Sequence, residues 1–590
     1  MADAGNNVLV AAIALPASGI LLSVVLGGRF VERIALSILS LNLAVSLCVF
    51  ASVWQSGEPL AYAVGGWTPP LGVALRADGL SATMMVTTAT VLCAIALYAC
   101  ADFLTPAGAG EARLPFLYWP LLLGVCGAMN LVCIGGDLFT LYVAMELLTF
   151  AAVPMVSLDG RAGTVRAALR YLLFAVAGSL FYLLGIALLY GLHGTLDIKM
   201  LSQLIRPDFA TIVALALATT GLLAKTALFP LHLWLPPAHA GAPAAASAVL
   251  SGLVVKGSFF LTIRLWFDAV PGLPQREGAM LLGALGAAAI VFGGVMALRQ
   301  QRLKLLVAYS TVAQIGYLFL VFPLALNVDT GRLDGAAALA GGMLQVVSHA
   351  AAKAGMFMAA GTIYVAFGHD HIARLGGVGR ALPLSVLAFV CGGCTLIGLP
   401  PGGPFLAKSL LLTSPIAAEQ WWWDWVMFAG GTLTSSYMIV VLMQAFAPAA
   451  APPAMHTRPP RYQELVALVL ASTSLLLGLA AFGALAIVQI GRPDAADIPD
   501  PMASLTDVFT MSAIAKAFAP LLLGAAIAGL LQLERAPAAA TDGLPREAKD
   551  PGAIFVLLDR VDDTLRGWPV GSSSLLLLTI AFGAVLFAAY

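Results

Sequence analysis

The chain has 590 residues, of which 60% are hydrophobic and only 10% are Asp, Glu, Lys or Arg. A soluble chain of this length would lack the polar side chains needed to cover its surface. The composition therefore excludes a soluble enzyme, a nucleic-acid-binding protein and a disordered scaffold, and the balance of 30 basic and 30 acidic residues favours no nucleic-acid partner. We predict an all-α polytopic membrane protein in a lipid bilayer.

Apolar runs of about 20 residues, the length that crosses a bilayer, recur along the chain. They begin near Val8, Ala35, Gly79, Phe116, Leu138, Ala167, Ala210, Pro243, Gly278, Leu305, Gly335, Ala381, Trp425, Leu465, Met511 and Ser572. A shorter run from Phe405 is interpreted as the second half of a broken helix that begins at Ala381. The pattern predicts about sixteen transmembrane helices, with a short amphipathic helix at residues 554–568 before the last.

Basic residues are distributed unevenly between alternate loops. The loops after odd-numbered spans hold most of the loop arginines and lysines, among them Arg161, Arg166, Arg299 and Arg302. Because such residues are enriched on the cytoplasmic side, we expect both termini on the non-cytoplasmic side of a bacterial-type inner membrane.

Proline clusters interrupt two of the predicted spans. Pro230, Pro236, Pro237 and Pro243 lie within and after the seventh span, and Pro400, Pro401 and Pro404 lie in the twelfth. Proline disrupts a helix, and freed backbone groups in a bilayer must meet protein or water. Although proline is also common in membrane helices, two breaks at matching positions predict two inverted repeats of about five helices each.

The predicted repeats divide the chain into four parts. These are N-terminal transmembrane helices at 1–110, a first repeat at 111–270, a second repeat at 271–450, and C-terminal transmembrane helices with the amphipathic helix at 451–590.

Ionisable side chains occur within the apolar spans, where each costs about 2.5–3.5 kcal/mol on insertion scales. They are Glu146, Lys225, Lys256, Lys304, His349, Lys353 and Lys408. Packing does not require such costly groups, so they predict a pathway for protons. Lys304 could instead be an anchor that extends to the membrane surface.

One predicted helix carries a ladder of polar side chains. Gln345, His349 and Lys353 are spaced at i, i+4 and i+8 and therefore share a face. His titrates near neutral pH, which suits a proton relay. His232 and His239, in the first broken region, could extend the path or cap freed carbonyls.

Other polar motifs favour structural interpretations. Cys391-x-x-Cys394 is an isolated pair in an apolar helix, and His369-Asp370-His371 is interpreted as a solvated loop rather than a metal site. The tryptophans at 421–423 and 425 are typical of an interfacial belt. No nucleotide-binding loop is found, so we expect no cofactor, no metal and no catalytic site in this chain.

Several segments resemble the antiporter-like subunits of respiratory complex I, whose family also supplies subunits to Mrp-type sodium/proton antiporters and membrane-bound hydrogenases. They are ADGLSA around Asp78, DLFTLYVAMELL around Glu146, LLAKTALFPLHLWLPPAHAGAP around Lys225, SAVLSGLVVKGSFFLTIRLW around Lys256, LKLLVAYSTVAQIGY around Lys304 and SHAAAKAGMFMAAG around His349. The resemblance extends from about residue 70 to residue 445.

The resemblance implies a bundle of inverted repeats with a central polar axis. It assigns Glu146 and Lys225 to a switching pair, and it places Lys256 on the axis. His349 and Lys408 resemble the connection and exit groups. This chain has Gln345 where some members have a second His, and Lys408 where some have Glu.

The function expected from these features and the resemblance is proton translocation, or sodium/proton translocation, by an antiporter-like subunit. We expect it to work with the other membrane subunits of a complex I-like or Mrp-like assembly. Two alternatives remain open, namely a dedicated sodium/proton antiporter subunit and the membrane subunit of an energy-coupled inorganic-carbon uptake system. The buried charges argue against a membrane scaffold without transport activity.

Overall fold

The computed structural model describes residues 2–105, 112–271, 273, 276–327, 330–333, 335–412, 419–448, 455–492, 510–535 and 570–589. The first helices are α1 (Ala2–Leu26), α2 (Phe30–Ser56), α3 (Gly79–Ala99), α4 (Arg113–Ile134), α5 (Leu138–Val156) and α6 (Ala162–His193). The middle of the chain forms α7 (Ile198–Leu204), α8 (Phe209–Thr226), α9 (Leu235–Gly241), α10 (Ala244–Ala269), α11 (Arg276–Arg299), α12 (Leu303–Leu324) and α13 (Ala336–Phe367). The remaining helices are α14 (Pro383–Ile397), α15 (Gly403–Leu412), α16 (Trp422–Phe446), α17 (Arg461–Ile487), α18 (Met511–Arg535) and α19 (Val570–Ala589).

The structure confirms a multi-pass helical membrane protein. Among the described residues, 14 helices are long and apolar enough to cross a membrane. The helices α14 and α15 have 15 and 10 residues and are each too short to cross alone. The predicted number of sixteen spans is not confirmed, and the amphipathic helix predicted at 554–568 lies outside the described residues.

A small β-hairpin departs from the all-helical prediction. Strands β1 (Leu60–Ala63) and β2 (Ala74–Ala77) pair antiparallel between α2 and α3, with Leu60 opposite Ala77. Strands of four residues are too short to produce a clear alternating pattern, which is why the sequence did not reveal them. The end of the bundle that carries this hairpin is called the hairpin face below.

Both helix breaks predicted from the proline clusters are present. The helix α8 ends at Thr226, and the helical structure resumes at Leu235 in α9. In the second break α14 ends at Ile397, Gly398 adopts a φ of +86°, and α15 begins at Gly403. The backbone groups released by these breaks lie inside the bundle, where protein groups can satisfy them.

The centre of the bundle is formed by α10, α12 and α13. In their most apolar windows, 100%, 94% and 89% of the residues are buried, compared with 17% in α18. The helix α13 packs against α10, α15 and α17. Most of the ionisable side chains predicted to form the pathway lie on these central helices or at the two breaks, so the fold places them away from the surface.

Candidate functional site

Glu146 and Lys225 form an ion pair between α5 and α8. The Lys225 ammonium lies 2.8 Å from Glu146 Oε1 and also donates to Thr149 Oγ1 at 3.1 Å. The Ser179 hydroxyl of α6 donates to the same carboxylate oxygen. Lys225 is 6% exposed and Glu146 is 20% exposed. The pairing implied by the family resemblance is therefore present in the geometry.

Two glycines allow the helices around this pair to approach closely. A Cβ atom on Gly221 of α8 would lie 2.3 Å from the Gly178 carbonyl oxygen of α6, and a Cβ on Gly178 would lie 2.8 Å from the Gly221 oxygen. Neither position has room for a side chain. This close crossing brings Ser179 and Lys225 to the same carboxylate.

Lys256 lies at the centre of α10, and its side chain is completely buried. A π-helical stretch, Leu250–Val254, ends two residues before it. The Lys256 ammonium donates to the Ser251 carbonyl in that stretch, and the Ser251 hydroxyl contacts the Thr311 hydroxyl of α12 at 2.9 Å. Stretches of π-helix are frequent at functional sites, because they change which backbone groups are available for hydrogen bonds.

The predicted ladder on α13 is buried along its length. The Lys353 ammonium donates to the Val307 carbonyl at 3.1 Å and to the Ser310 hydroxyl, both on α12. The Gln345 side chain donates to Gln314 at 3.0 Å. His349 is fully buried, and neither ring nitrogen has a hydrogen-bond partner among the described residues.

Lys304 lies at the start of α12 and is 5% exposed. Its ammonium donates to the Ala242 carbonyl at 3.2 Å and lies 4.8 Å from the centre of the Tyr364 ring. The side chain therefore extends into the bundle, and the alternative of an anchor at the membrane surface is wrong for this geometry.

The interpretation of 369–371 as a solvated loop is also wrong for its central residue. Asp370 is 1% exposed, accepts a hydrogen bond from Arg302 at 2.9 Å, and accepts one from the Lys304 backbone amide at 3.2 Å. The carboxylate thus caps the start of α12. This contact spans 66 residues of sequence, which is why the local pattern did not reveal it.

Lys408 lies on α15 just after the second break. Its ammonium donates to the Ile397 carbonyl at 2.9 Å, at the end of α14, and lies 5.1 Å from the centre of the Tyr317 ring. The lysine therefore satisfies a backbone carbonyl released by the break, and it joins the two half-helices.

The two histidines of the first break lie among aromatic rings. His239 is fully buried and stacks on Phe357 at 4.5 Å, with no hydrogen-bond partner for either ring nitrogen among the described residues. His232 lies 5.5 Å from the Phe229 ring and 4.9 Å from the Phe292 ring. For His239, capping of a freed carbonyl is therefore not observed.

Five of the seven predicted groups are buried, whereas Glu146 and Lys408 are partly exposed, and the described contacts do not join the seven into one continuous chain. Among the seven predicted groups, Glu146 and Lys225 form the one ion pair seen in the described part of the molecule. The ammonium groups of Lys256, Lys304, Lys353 and Lys408 donate to backbone carbonyls, and that of Lys353 also donates to a hydroxyl. Any proton transfer between them needs water molecules or side-chain movement.

A second group of charges, which the sequence analysis did not identify, lies at the hairpin face. Arg264 of α10 contacts both carboxylate oxygens of Asp78 at 2.5 and 2.6 Å and Asp268 at 2.7 Å, and Arg492 contacts Asp268 at 2.8 Å. Burial alone would raise the pKa of Asp78, but Arg264 holds it well below its usual range. The signal in the sequence was Arg264 and Asp268, one turn apart at the end of an apolar span. We call these four residues the arginine–aspartate cluster.

Comparisons with known proteins agree with this architecture. Residues 135–435 match the model of a family described as NADH:quinone oxidoreductase/Mrp antiporter, transmembrane. An NADH-quinone oxidoreductase subunit from Desulforudis audaxviator is 36% identical over 66% of this chain and 75% of its own length. A Na(+)/H(+) antiporter subunit from Alkalihalophilus pseudofirmus is 30% identical over 63% of this chain and 72% of its own length.

The fold has a counterpart among solved structures. A chain in the structure of the Mrp complex from Dietzia sp. DQ12-45-1b matches with a TM-score of 0.74, covering 86% of this chain and 99% of that chain at 24% identity. This likeness concerns the fold. The match to the family model over half of the sequence establishes that the chain belongs to the NADH:quinone oxidoreductase/Mrp antiporter transmembrane family.

Proposed function

We propose that this antiporter-like subunit translocates protons through the buried zone between its two broken helices. The path would run from Glu146 and Lys225 through Lys256 and His349 to Lys408. Lys304 and Lys353 would exchange protons with the centre of this path, and His232, His239 and Gln345 would lie beside it. Water molecules would bridge the gaps, since neutral Gln345 cannot carry a proton itself.

The observation that carries this proposal is the burial of lysines beside neutral oxygen atoms. Lys256 and Lys353 are both 0% exposed, and their ammonium groups donate to backbone carbonyls and a hydroxyl. Burying a cation without an opposite charge costs considerable free energy. Packing alone would favour apolar residues at these positions, so we infer that the lysines serve transport.

The Glu146–Lys225 pair would act as the switch. While the carboxylate is ionised, it holds the Lys225 ammonium at 2.8 Å. Protonation of Glu146 removes the negative charge, and the Lys225 ammonium is then free to pass a proton toward Lys256. Such coupled protonation links uptake at one end of the path to transfer at its centre.

The test is the Lys256→Ala variant of the full chain in its native assembly, reconstituted into liposomes. We expect proton transport to fall by about tenfold or more, because a buried proton carrier is lost. Lys199→Ala is the matched control, since Lys199 is exposed on α7. Normal transport by a correctly inserted Lys256→Ala variant would remove Lys256 from the path.

Sodium/proton exchange is the second candidate function, favoured by the similarity to the Na(+)/H(+) antiporter protein of Alkalihalophilus pseudofirmus. Proton flux that requires a sodium gradient in the same liposomes would establish it. Flux that is unchanged when potassium replaces sodium would assign the path to protons alone.

We also propose that other membrane subunits accompany this chain in a bacterial-type inner membrane. The Glu146 side chain is 20% exposed beside Leu147 and Phe150, which are 50% and 68% exposed. A carboxylate facing lipid is unfavourable, so a neighbouring subunit would cover this part of α5. Purification of the native assembly should recover companion subunits, and full activity of the isolated chain would contradict the proposal.

A further inference from the structure

The arginine–aspartate cluster lies at the hairpin-face end of the helix that carries Lys256. It is made of residues from three separate parts of the chain: Asp78 before α3, Arg264 and Asp268 on α10, and Arg492 after α17. Their side chains are between 7% and 20% exposed. The four charges alternate along the cluster and sum to zero.

The cluster joins α10 to the start of α3. Arg264 donates to Ser81 at 2.7 Å, and the Ser81 hydroxyl donates to the Cys133 carbonyl of α4 at 2.5 Å. The Arg264 guanidinium also lies 4.9 Å from the centre of the Phe260 ring, one turn closer to Lys256. An arginine is charged at all accessible pH values, so a permanent positive charge occupies this end of α10.

Aromatic side chains pack between α10 and α12. Phe259, Trp266 and Phe267 of α10 lie between 5.4 and 6.4 Å, centre to centre, from the rings of Phe319 and Phe322. Phe259 and Trp266 are each 1% exposed, and Phe319 and Phe322 are 0% exposed. A layer of packed aromatic rings does not favour a water-filled route on that side.

The residues that follow α17 hold the cluster in place. The Gly79 amide donates to the Ile490 carbonyl at 3.2 Å, and the Arg76 side chain contacts the Gly491 carbonyl at 3.5 Å. A Cβ atom on Gly79 would lie 1.5 Å from the Ile487 carbonyl oxygen, so glycine is required for this approach. These contacts place Arg492 beside Asp268.

We propose that the arginine–aspartate cluster is a proton barrier that prevents Lys256 from exchanging protons with the hairpin face. The Arg264 guanidinium stays protonated and therefore cannot pass a proton on, and its contacts with Asp78, Asp268 and Ser81 hold it between α10 and the start of α3. The barrier would force protons on Lys256 to continue toward the second repeat. This inference rests on the proposed transport function, because a barrier matters only if Lys256 carries protons.

The experiment measures passive proton leak in liposomes that contain the full assembly and no energy source. A potassium diffusion potential is imposed with valinomycin, and an entrapped pH-sensitive dye reports proton entry. We expect Arg264→Gln to raise the leak by about tenfold or more. Arg264→Lys keeps the charge and should leak less than Arg264→Gln. Arg276→Gln is the matched control, since Arg276 is an exposed arginine at the start of α11. Liposomes with this variant should show the same proton leak as those with the unaltered assembly.

The double variant Arg264→Gln with Lys256→Ala separates this inference from the proposed function. Loss of the leak in the double variant would support both the barrier and the role of Lys256 as a proton carrier. A leak that persists without Lys256 would overturn the assignment of the barrier to the Lys256 path, whereas a tight Arg264→Gln variant that is correctly inserted would overturn the barrier itself.

Arg492→Gln provides a second variant if Arg264→Gln does not fold, because Arg492 pairs with Asp268 and does not itself contact Asp78. We expect this variant to raise the leak about threefold, since Arg264 keeps its Asp78 contact. A proton leak no larger than that of the unaltered assembly would contradict the proposal.

Discussion

Glu146 lies at the edge of the helical bundle rather than at its centre. Its carboxylate receives the Lys225 ammonium and the Ser179 hydroxyl from two different helices. The residue types and their position in apolar spans predicted functional groups, and the family resemblance implied that Glu146 and Lys225 pair. The sequence alone could not place Ser179 at the carboxylate, because that contact depends on the close crossing at Gly178 and Gly221.

The Glu146→Gln variant should lose most of its coupled transport. The amide has nearly the same shape, but it cannot accept a proton and lacks the charge that attracts Lys225. We expect a loss of about tenfold or more in energy-driven proton uptake by proteoliposomes, because the switch is no longer titratable. Glu58→Gln, at an exposed position, should behave like the unaltered chain. Coupling at the normal level in Glu146→Gln would rule out the switch.

Asp370→Ala should destabilise the fold rather than remove a proton carrier. The change leaves Arg302 without its 2.9 Å partner and removes the cap from the start of α12. We expect a cost of about 1–3 kcal/mol, seen as a lower melting temperature in detergent. His371→Ala, at an exposed neighbouring position, is the control. An unchanged melting temperature for Asp370→Ala would show that the cap is dispensable.

At the scale of elements, the prolines predicted that α8 would break but not how it would end. Ala227 follows the last helical residue with a φ of +60° and is fully buried. This left-handed conformation is unfavourable for residues with a Cβ atom. Nothing in the residue type indicates it, because alanine usually favours a helix.

Replacement of Ala227 tests the importance of this helix end. Ala227→Gly should raise stability by up to about 1 kcal/mol, because glycine adopts a positive φ without a steric cost. Ala227→Val should lower stability by more than that, since a β-branched side chain adds strain and volume at a fully buried site. Melting temperatures in detergent provide the comparison. A destabilising Ala227→Gly variant would show that the Cβ contacts outweigh the backbone strain.

At the scale of the molecule, the ends of distant helices meet at common faces. The start of α3, the end of α10 and the residues after α17 come together at the hairpin face. A backbone bridge between Arg302 and His371 joins the residues before α12 to those after α13. Because α13 is 32 residues long, this contact lies far from the residues at the start of α13. Apolar periodicity predicted the helices, but only the long-range contacts reveal which ends share a face.

Cysteine labelling tests the predicted orientation in the membrane. In a chain whose seven native cysteines are replaced, Glu58→Cys lies beside the hairpin and His371→Cys lies at the opposite face. A membrane-impermeant maleimide added to intact cells should label Glu58→Cys but not His371→Cys, because basic loops favour the cytoplasm. The reverse labelling would invert the predicted topology, and labelling of both in opened membranes is the control.

The contact between Gly79 and Ile490 has a consequence for biosynthesis. These residues are joined by a backbone hydrogen bond, yet more than two thirds of the chain is synthesised between them. When α3 to α16 have been synthesised and inserted, Lys256 is already in the membrane. Arg492, which follows later in the chain, has not yet left the ribosome. Nascent or prematurely terminated chains would lack Arg492 and its contact with Asp268, so the proposed barrier would be incomplete in them.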